Sequence, residues 1–166
     1  MLFKRKQVKT ALRNIKKNPS IKVLSDKRIK LNPTQFSYDQ LAKECHDIWA
    51  EIVKREWNYK CQWYNCTSTE GLSAHHLCSA QITNLRYNPI NGVALCESHH
   101  LWTAHKNNLW VYYWLPTIRS KKVLEKMYEK SMERNSKDRH TKLQLQGFYR
   151  RLQMQLNRVK NGKANV

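Results

Sequence analysis

The sequence predicts an α+β chain, predominantly helical, with a small strand–strand–helix unit at its centre. Three observations predict it. Only four glycines and four prolines interrupt 166 residues, so long helices are not broken. Amphipathic runs at helical spacing occupy much of the length. Between them, Cys61 to His100 holds four of the five cysteines and four of the seven histidines around two short apolar runs.

Met1 to Lys17 has helical spacing, with Val8, Leu12 and Ile15 on one side and Lys/Arg on the other. Asn18-Pro19 ends it and Asn32-Pro33 marks a second break. Residues 1–33 therefore read as a basic arm. Ser37-x-x-Gln40 is a capping box, and it opens a helix with Leu41, Cys45, Ile48, Ile52 and Val53 at core spacing and Trp49 nearby. Inside it Cys45 reads as a core thiol and His46 as a surface or satisfied side chain.

Trp57 and Tyr59 lead into Cys61-x4-Cys66, which is matched about thirty residues later by Cys96-x2-His99. Two close pairs of this kind suit a structural zinc, which takes thiolate and imidazole at tetrahedral corners. A closed shell of Cys61, Cys66, Cys96 and His99 leaves no position for substrate and serves the fold, contributing on the order of 10 kcal/mol. The competing reading is buried free thiols. Cys78 reads as a small buried residue, and it is the substitute ligand if the Cys61–Cys66 pair is misread.

A second set is open. Leu72 to Cys78 reads as a strand, Gly92 to Leu95 as its partner, and Glu97 to Lys106 as a short helix. Successive strand side chains point to opposite faces, so His75 and His76 do not chelate one ion together. A division of labour is expected: one a metal ligand, the other a general base, for which a near-neutral imidazole suits physiological pH. A strand packed on the helix can bring His75 and His100 to one cation with positions left for a phosphate oxygen and water. Asn91, before Gly92, is either a turn residue or a side chain that pins the loop orienting the base. His105 lies about 140° further round a helix than His100, which argues against a shared ion and leaves phosphate contact or a helix C-cap. Gln81 to Asn88 is a polar loop where Arg86 and Tyr87 can approach phosphate.

Leu109 to Leu115 (LWVYYWL) is the most apolar run. Burial against the Ser37 helix is favoured over a base-stacking platform, and Pro116 is expected to close it. Thr117 to Asn135 reads as a basic helix with Leu124, Met127 and Tyr128 on one side. A final helix, roughly 139–160, carries Leu145, Tyr149, Leu152, Leu156 and Val159 at 3.6-residue spacing. These two are expected to form a helical hairpin, either clamping a duplex or mediating a homodimer. The domain reading is a 1–33 arm, a 34–116 zinc-stapled domain and a 117–166 basic helical extension.

The net charge of +19 is unevenly placed: 1–30 and 117–166 each carry +10, whereas 31–116 carries −1. Such flanks attract phosphate in a sequence-independent, salt-sensitive way, which points to nucleic acid rather than to a merely soluble surface. No apolar stretch nears 18 residues and no signal-peptide pattern is present, so the expectation is a soluble protein with no membrane partner. Clustered cysteines in odd number suit metal in a reducing cytoplasm better than disulfides.

The central stretch resembles the HNH endonucleases, in the zinc-containing branch of the ββα-metal superfamily. The matching elements are Ala74-His75-His76-Leu77, Asn91 with Leu95-Cys96, and Cys96-x2-His99-His100; fourteen residues separate His76 from Asn91 and eight separate Asn91 from His100, similar to the colicin-type nucleases. Trp49, Lys54-Arg55-Glu56, Gly71-Leu72 and Leu85-Arg86-Tyr87 extend the likeness, over roughly 40–115, to phage proteins of the NinG/Rap type. The resemblance implies a two-stranded hairpin packed on one helix, a catalytic ion on His75 and His100, His76 as general base, and Asn91 positioning it. Cys61, Cys66, Cys96 and His99 correspond to the structural zinc shell. His75 stands where many members carry aspartate, which shifts preference from Mg²⁺ toward Mn²⁺ or Ni²⁺. The implied function is phage-encoded hydrolysis of DNA phosphodiesters to 5′-phosphate and 3′-hydroxyl ends, in recombination or DNA processing, with branched DNA among the substrates. Competing readings are a non-catalytic zinc-stapled DNA binder, a homing or packaging nuclease, and an RNA-cutting enzyme. No helix of the kind that reads base edges is recognisable.

Overall fold

The computed structural model describes residues 32–106, 110–133 and 140–162. The expected basic arm, 1–33, lies outside them except for its last two residues, and so does the Met1 to Lys17 helical pattern. The architecture is α+β and mostly helical, with one small two-stranded sheet.

Helix α1, Tyr38–Glu56, begins where the sequence places it. Ser37 Oγ accepts from Gln40 N at 3.3 Å while Gln40 Oε1 accepts from Ser37 N at 2.9 Å, so two otherwise orphaned amides are satisfied. Asp39 in its first turn and Lys54 and Arg55 in its last complement the helix dipole. Its inner face buries Leu41, Cys45, Ile48, Trp49, Ile52 and Val53. Glu51 is buried beside them, but Arg55 Nε donates to it at 2.7 Å and the Tyr59 hydroxyl donates a short bond to the same oxygen. That pairing also holds Tyr59 in a left-handed conformation, φ 50°, that a bulky residue rarely adopts.

Strands β1, Leu72–His76, and β2, Gly92–Cys96, pair antiparallel with Leu72 opposite Cys96, His75 opposite Val93 and His76 opposite Gly92. β2 is buried along its whole length, because one face meets α1 and the other the cysteine-rich segment. A Cβ on Gly92 would lie 2.2 Å from Val53 Cγ2 and 3.0 Å from the Trp49 ring, so only glycine lets β2 approach this closely. After β2 the chain turns through Glu97 and Ser98 into a π-helical turn, His99–Ala104.

Three helices follow. α2, Trp110–Ile118, runs through Pro116 instead of ending before it. Its Trp114 and Leu115 are buried, as expected of the apolar run, and Trp114 belongs to the cluster on β2 instead of the buried face of the Ser37 helix. Trp114 packs with Cys61, Val93, Leu95, Cys96 and Ala104, and its indole Nε1 donates to Gln62 O at 2.8 Å. α3 spans Lys121–Met132, and of its expected apolar side Met127 is buried while Tyr128 is exposed. α4, Lys142–Lys160, opens on a second capping box, Thr141 with Gln144. It buries Leu145, Tyr149, Leu152 and Leu156 along α1, where Cys45 Sγ donates to Leu145 O at 3.5 Å and Phe36 meets Tyr149 edge-on. The expected α3–α4 hairpin does not form. Four apolar side chains on α4 find a longer complementary face on α1, whereas α3 offers Met127.

Burial pushes the Cys45 thiol up to about 12, so it is an inert core residue. Tyr87, expected near phosphate, is buried instead, with its hydroxyl donating to Ala42 O at 3.4 Å.

The Gly92 contact gives a direct stability prediction. Gly92→Ala must push Val53 aside in a filled core, so denaturant unfolding should show a loss of about 1–3 kcal/mol. An unchanged midpoint would mean that β2 does not lie on α1 this closely.

Candidate metal centre

Cys61, Cys66, Cys96 and His99 converge, their ligand atoms all lying within 4.8 Å of one another. Each arrives by a local device. Asn65 in a left-handed conformation, φ 54°, and the Cys66 N to Trp63 O bond curl the Cys61–Cys66 loop back on itself. Gln62 N donates to Ala94 O and ties that loop to β2, which delivers Cys96 at its end. His99 comes from the first residue of the π turn, its ring stacked on Trp63 at 5.2 Å and 17°. Its Nδ1 is 3.1 Å from Cys96 Sγ and 3.6 Å from Cys61 Sγ. In a tetrahedral zinc shell a sulfur–nitrogen edge is about 3.5 Å, so the residues fit a metal such as zinc. Cys78 is not in this group. Burial pushes the Cys61 thiol up to about 12, and a divalent cation reverses that cost by stabilising the thiolate.

A second group, His75, His100 and His105, also has its ligand atoms within 4.8 Å of one another. The ring centroids of His75 lie 5.3 Å from His100 and 5.0 Å from His105, and those of His100 and His105 are 4.7 Å apart. His105 was not expected to share a site with His100, and helix type explains the difference. An α-helix separates residues five apart, but a π turn closes i→i+5 bonds and sets them one above the other. His100 Nε2 and His105 Nε2 are consequently 3.2 Å apart. Two nitrogens each about 2.1 Å from one ion lie roughly 3.0–3.4 Å apart. The group contains no carboxylate. Burial, and then the charge each ring would present to the others, holds His75 down to about 4 and lowers His100. At neutral pH these rings therefore carry lone pairs, as ligands must. Three imidazoles are a donor set that suits later transition metals better than Mg²⁺.

His76 stands apart from that group, as strand alternation requires. Its ring lies flat on Trp49, 3.9 Å between centroids and 10° between planes, and Trp49 is itself fixed by its Nε1 bond to Asn88 O. His76 Nε2 is 2.8 Å from Arg86 O. A carbonyl only accepts, so Nε2 carries the proton and Nδ1 the lone pair. Burial lowers the pKa of His76, partly offset by the bond to Arg86. Asn91 is fully buried. Its Oδ1 accepts from Cys78 N at 2.6 Å, and its Nδ2 donates to Cys78 O at 3.1 Å and Leu85 O at 3.2 Å. Both ends of the loop between the strands are thus tied to one amide, and the Arg86 carbonyl is one peptide beyond.

No protein-family model matches the chain, and neither does any curated protein or solved structure.

Two expectations follow. Purified protein should carry about one tightly held zinc per chain, and Cys96→Ser should lose it together with several kcal/mol of stability; elemental analysis and thermal melts check both. In protein without a metal on the three histidines, His75 is neutral down to about 4, whereas unfolded histidine protonates near 6.5. The unfolded chain then binds more protons, so this stabilisation is complete above pH 6.5 and declines as pH falls toward 4. His75→Asn should flatten that part of the Tm–pH curve.

Proposed function

We propose that the chain is a metal-dependent endonuclease of the HNH type, with a ββα-metal core, that hydrolyses DNA phosphodiester bonds. The observation that carries this reading is the pairing of three converging imidazoles with a fourth on the residue after His75, His76, whose tautomer is fixed by a backbone carbonyl. A protein that only binds nucleic acid has no use for either feature.

In this reading His75, His100 and His105 hold a divalent ion, Mn²⁺ or Ni²⁺ in preference to Mg²⁺. When bound, the ion supplies Lewis-acid stabilisation to the phosphate and the departing oxygen. His76 Nδ1 accepts a proton from the attacking water, the water oxygen bonds to phosphorus, and the bond to the 3′ oxygen breaks. The departing 3′ oxygen takes a proton from solvent water, so the products are a 5′-phosphate and a 3′-hydroxyl. Burial keeps His76 below its ordinary pKa, so it is a free base at neutral pH. Asn91 holds the loop that supplies the Arg86 carbonyl, and Trp49 keeps the imidazole from rotating. The thiol shell of Cys61, Cys66, Cys96 and His99 is structural zinc, because its four positions are all taken by protein.

DNA is the favoured partner because the net charge of +19 supplies phosphate attraction around a nearly neutral centre. The likeness to phage recombination nucleases makes branched DNA the first substrate to try.

His76→Ala should lower cleavage of supercoiled plasmid with Mn²⁺ by about 100-fold or more while DNA affinity stays within about twofold. Wild-type protein inert on linear, nicked, flap and four-way-junction DNA would favour the zinc-stapled binder. Cleavage confined to a parallel RNA digest would move the substrate class.

A further inference from the structure

The turn that carries two of the three converging imidazoles is a conformation that chains rarely adopt. His99–Ala104 forms a single π turn, and Ser98 at its start provides no side-chain cap. One helical turn is too short to hold itself in water. Its register nevertheless decides the geometry of the three-histidine group. In an α-helix, residues five apart diverge by about 140°; in this turn His100 Nε2 and His105 Nε2 lie 3.2 Å apart. Contacts outside the turn must therefore fix the register.

Both ends of the turn are fixed in the thiol-rich core. At its first residue, His99 Nδ1 is 3.1 Å from Cys96 Sγ and 3.6 Å from Cys61 Sγ, and the ring stacks on Trp63 at 5.2 Å. At its last residue, Ala104 is buried in one cluster with Cys61, Cys96 and Trp114. His100 directly follows the first anchor and His105 directly follows the second. The third imidazole is tied to the same core, since β1 carries both His75 and Leu72, and Leu72 packs on that cluster. An ion in the shell binds His99 and three sulfurs at once, and so fixes the first anchor.

We propose that zinc in the Cys61–Cys66–Cys96–His99 shell sets the metal affinity of the His75–His100–His105 site, by holding His99–Ala104 in the π register. This coupling rests on the reading that the three histidines take a divalent transition ion; it does not require DNA cleavage. Loss of the His99 anchor lets the turn rewind toward i→i+4 closure, which swings His105 away from His100 and leaves two ligands. The coupling runs both ways. Whatever factor the shell ion adds to binding at the histidines, an ion at the histidines adds to retention of the shell ion.

Calorimetric titration of the zinc-loaded full chain with Ni²⁺ reads the histidine site, and His105→Asn identifies the part of the signal that belongs to it. His99→Ala keeps three sulfurs for zinc but removes the anchor, and should weaken Ni²⁺ binding about 10-fold or more. His99→Cys restores a fourth ligand to the shell and should return most of the affinity. A second measurement needs no change to the shell. Ni²⁺ should slow the reaction of Cys61, Cys66 and Cys96 with a disulfide reagent by a similar factor in wild type, and leave it unchanged in His105→Asn. A folded His99→Ala protein with wild-type Ni²⁺ affinity, or wild-type thiols that react as fast with Ni²⁺ bound, would overturn the coupling. If His99→Ala does not fold, the thiol rates decide. Wild type that binds no Ni²⁺ would overturn the coupling and the catalytic-ion reading together. Coupled binding in a protein that cuts no DNA would overturn the nuclease reading alone, and DNA cleavage without coupling would overturn this inference alone.

Discussion

The close approach of β2 to α1 at Gly92 is the constraint from which the site geometry follows. With no Cβ at that position, the strand backbone lies directly on Val53 and Trp49. Antiparallel pairing then puts His76 opposite Gly92, so its imidazole falls on the Trp49 ring. Alternation sends His75 the other way, toward the π turn. One steric fact thereby sorts two adjacent histidines into two environments, His76 on Trp49 and His75 beside His100 and His105.

Much of this was legible in the sequence, and the reason lies in how local the signals are. The capping box at Ser37 and Gln40, the buried face of α1, both strands to within two residues and the Cys61–Cys66–Cys96–His99 group each depend on spacing along a short stretch. His105 was not legible, because its place beside His100 depends on a π turn, and no residue in His99–Ala104 announces i→i+5 closure. The partner of α4 was not legible either. Periodicity identifies an apolar face but not which other face will cover it, and the longer face on α1 prevailed over α3. Tyr87 was misread for a similar reason: a polar loop sequence conceals the residue that anchors it to α1. Pro116 was read as a stop, but a proline near a helix end gives up few internal hydrogen bonds.

The electrostatic plan is as informative as the fold. The centre of the chain is close to neutral while its flanks are strongly basic. His75, His76 and His100 there are held below the ordinary histidine pKa by burial, and His75 and His100 further by the charge of neighbouring rings. The basic residues and the clustered histidines and cysteines therefore fall in different parts of the sequence.

His99 and His100 are neighbours in the chain, yet one turns toward the sulfurs and the other toward His75. A single peptide unit therefore spans two centres of different character. Displacing His99 from the sulfurs, by chelation of a metal held there or by oxidation of Cys61 or Cys96, would therefore move the attachment of His100 as well. The thiols would act as a fuse: a lesion in one cluster disturbs the geometry of the other.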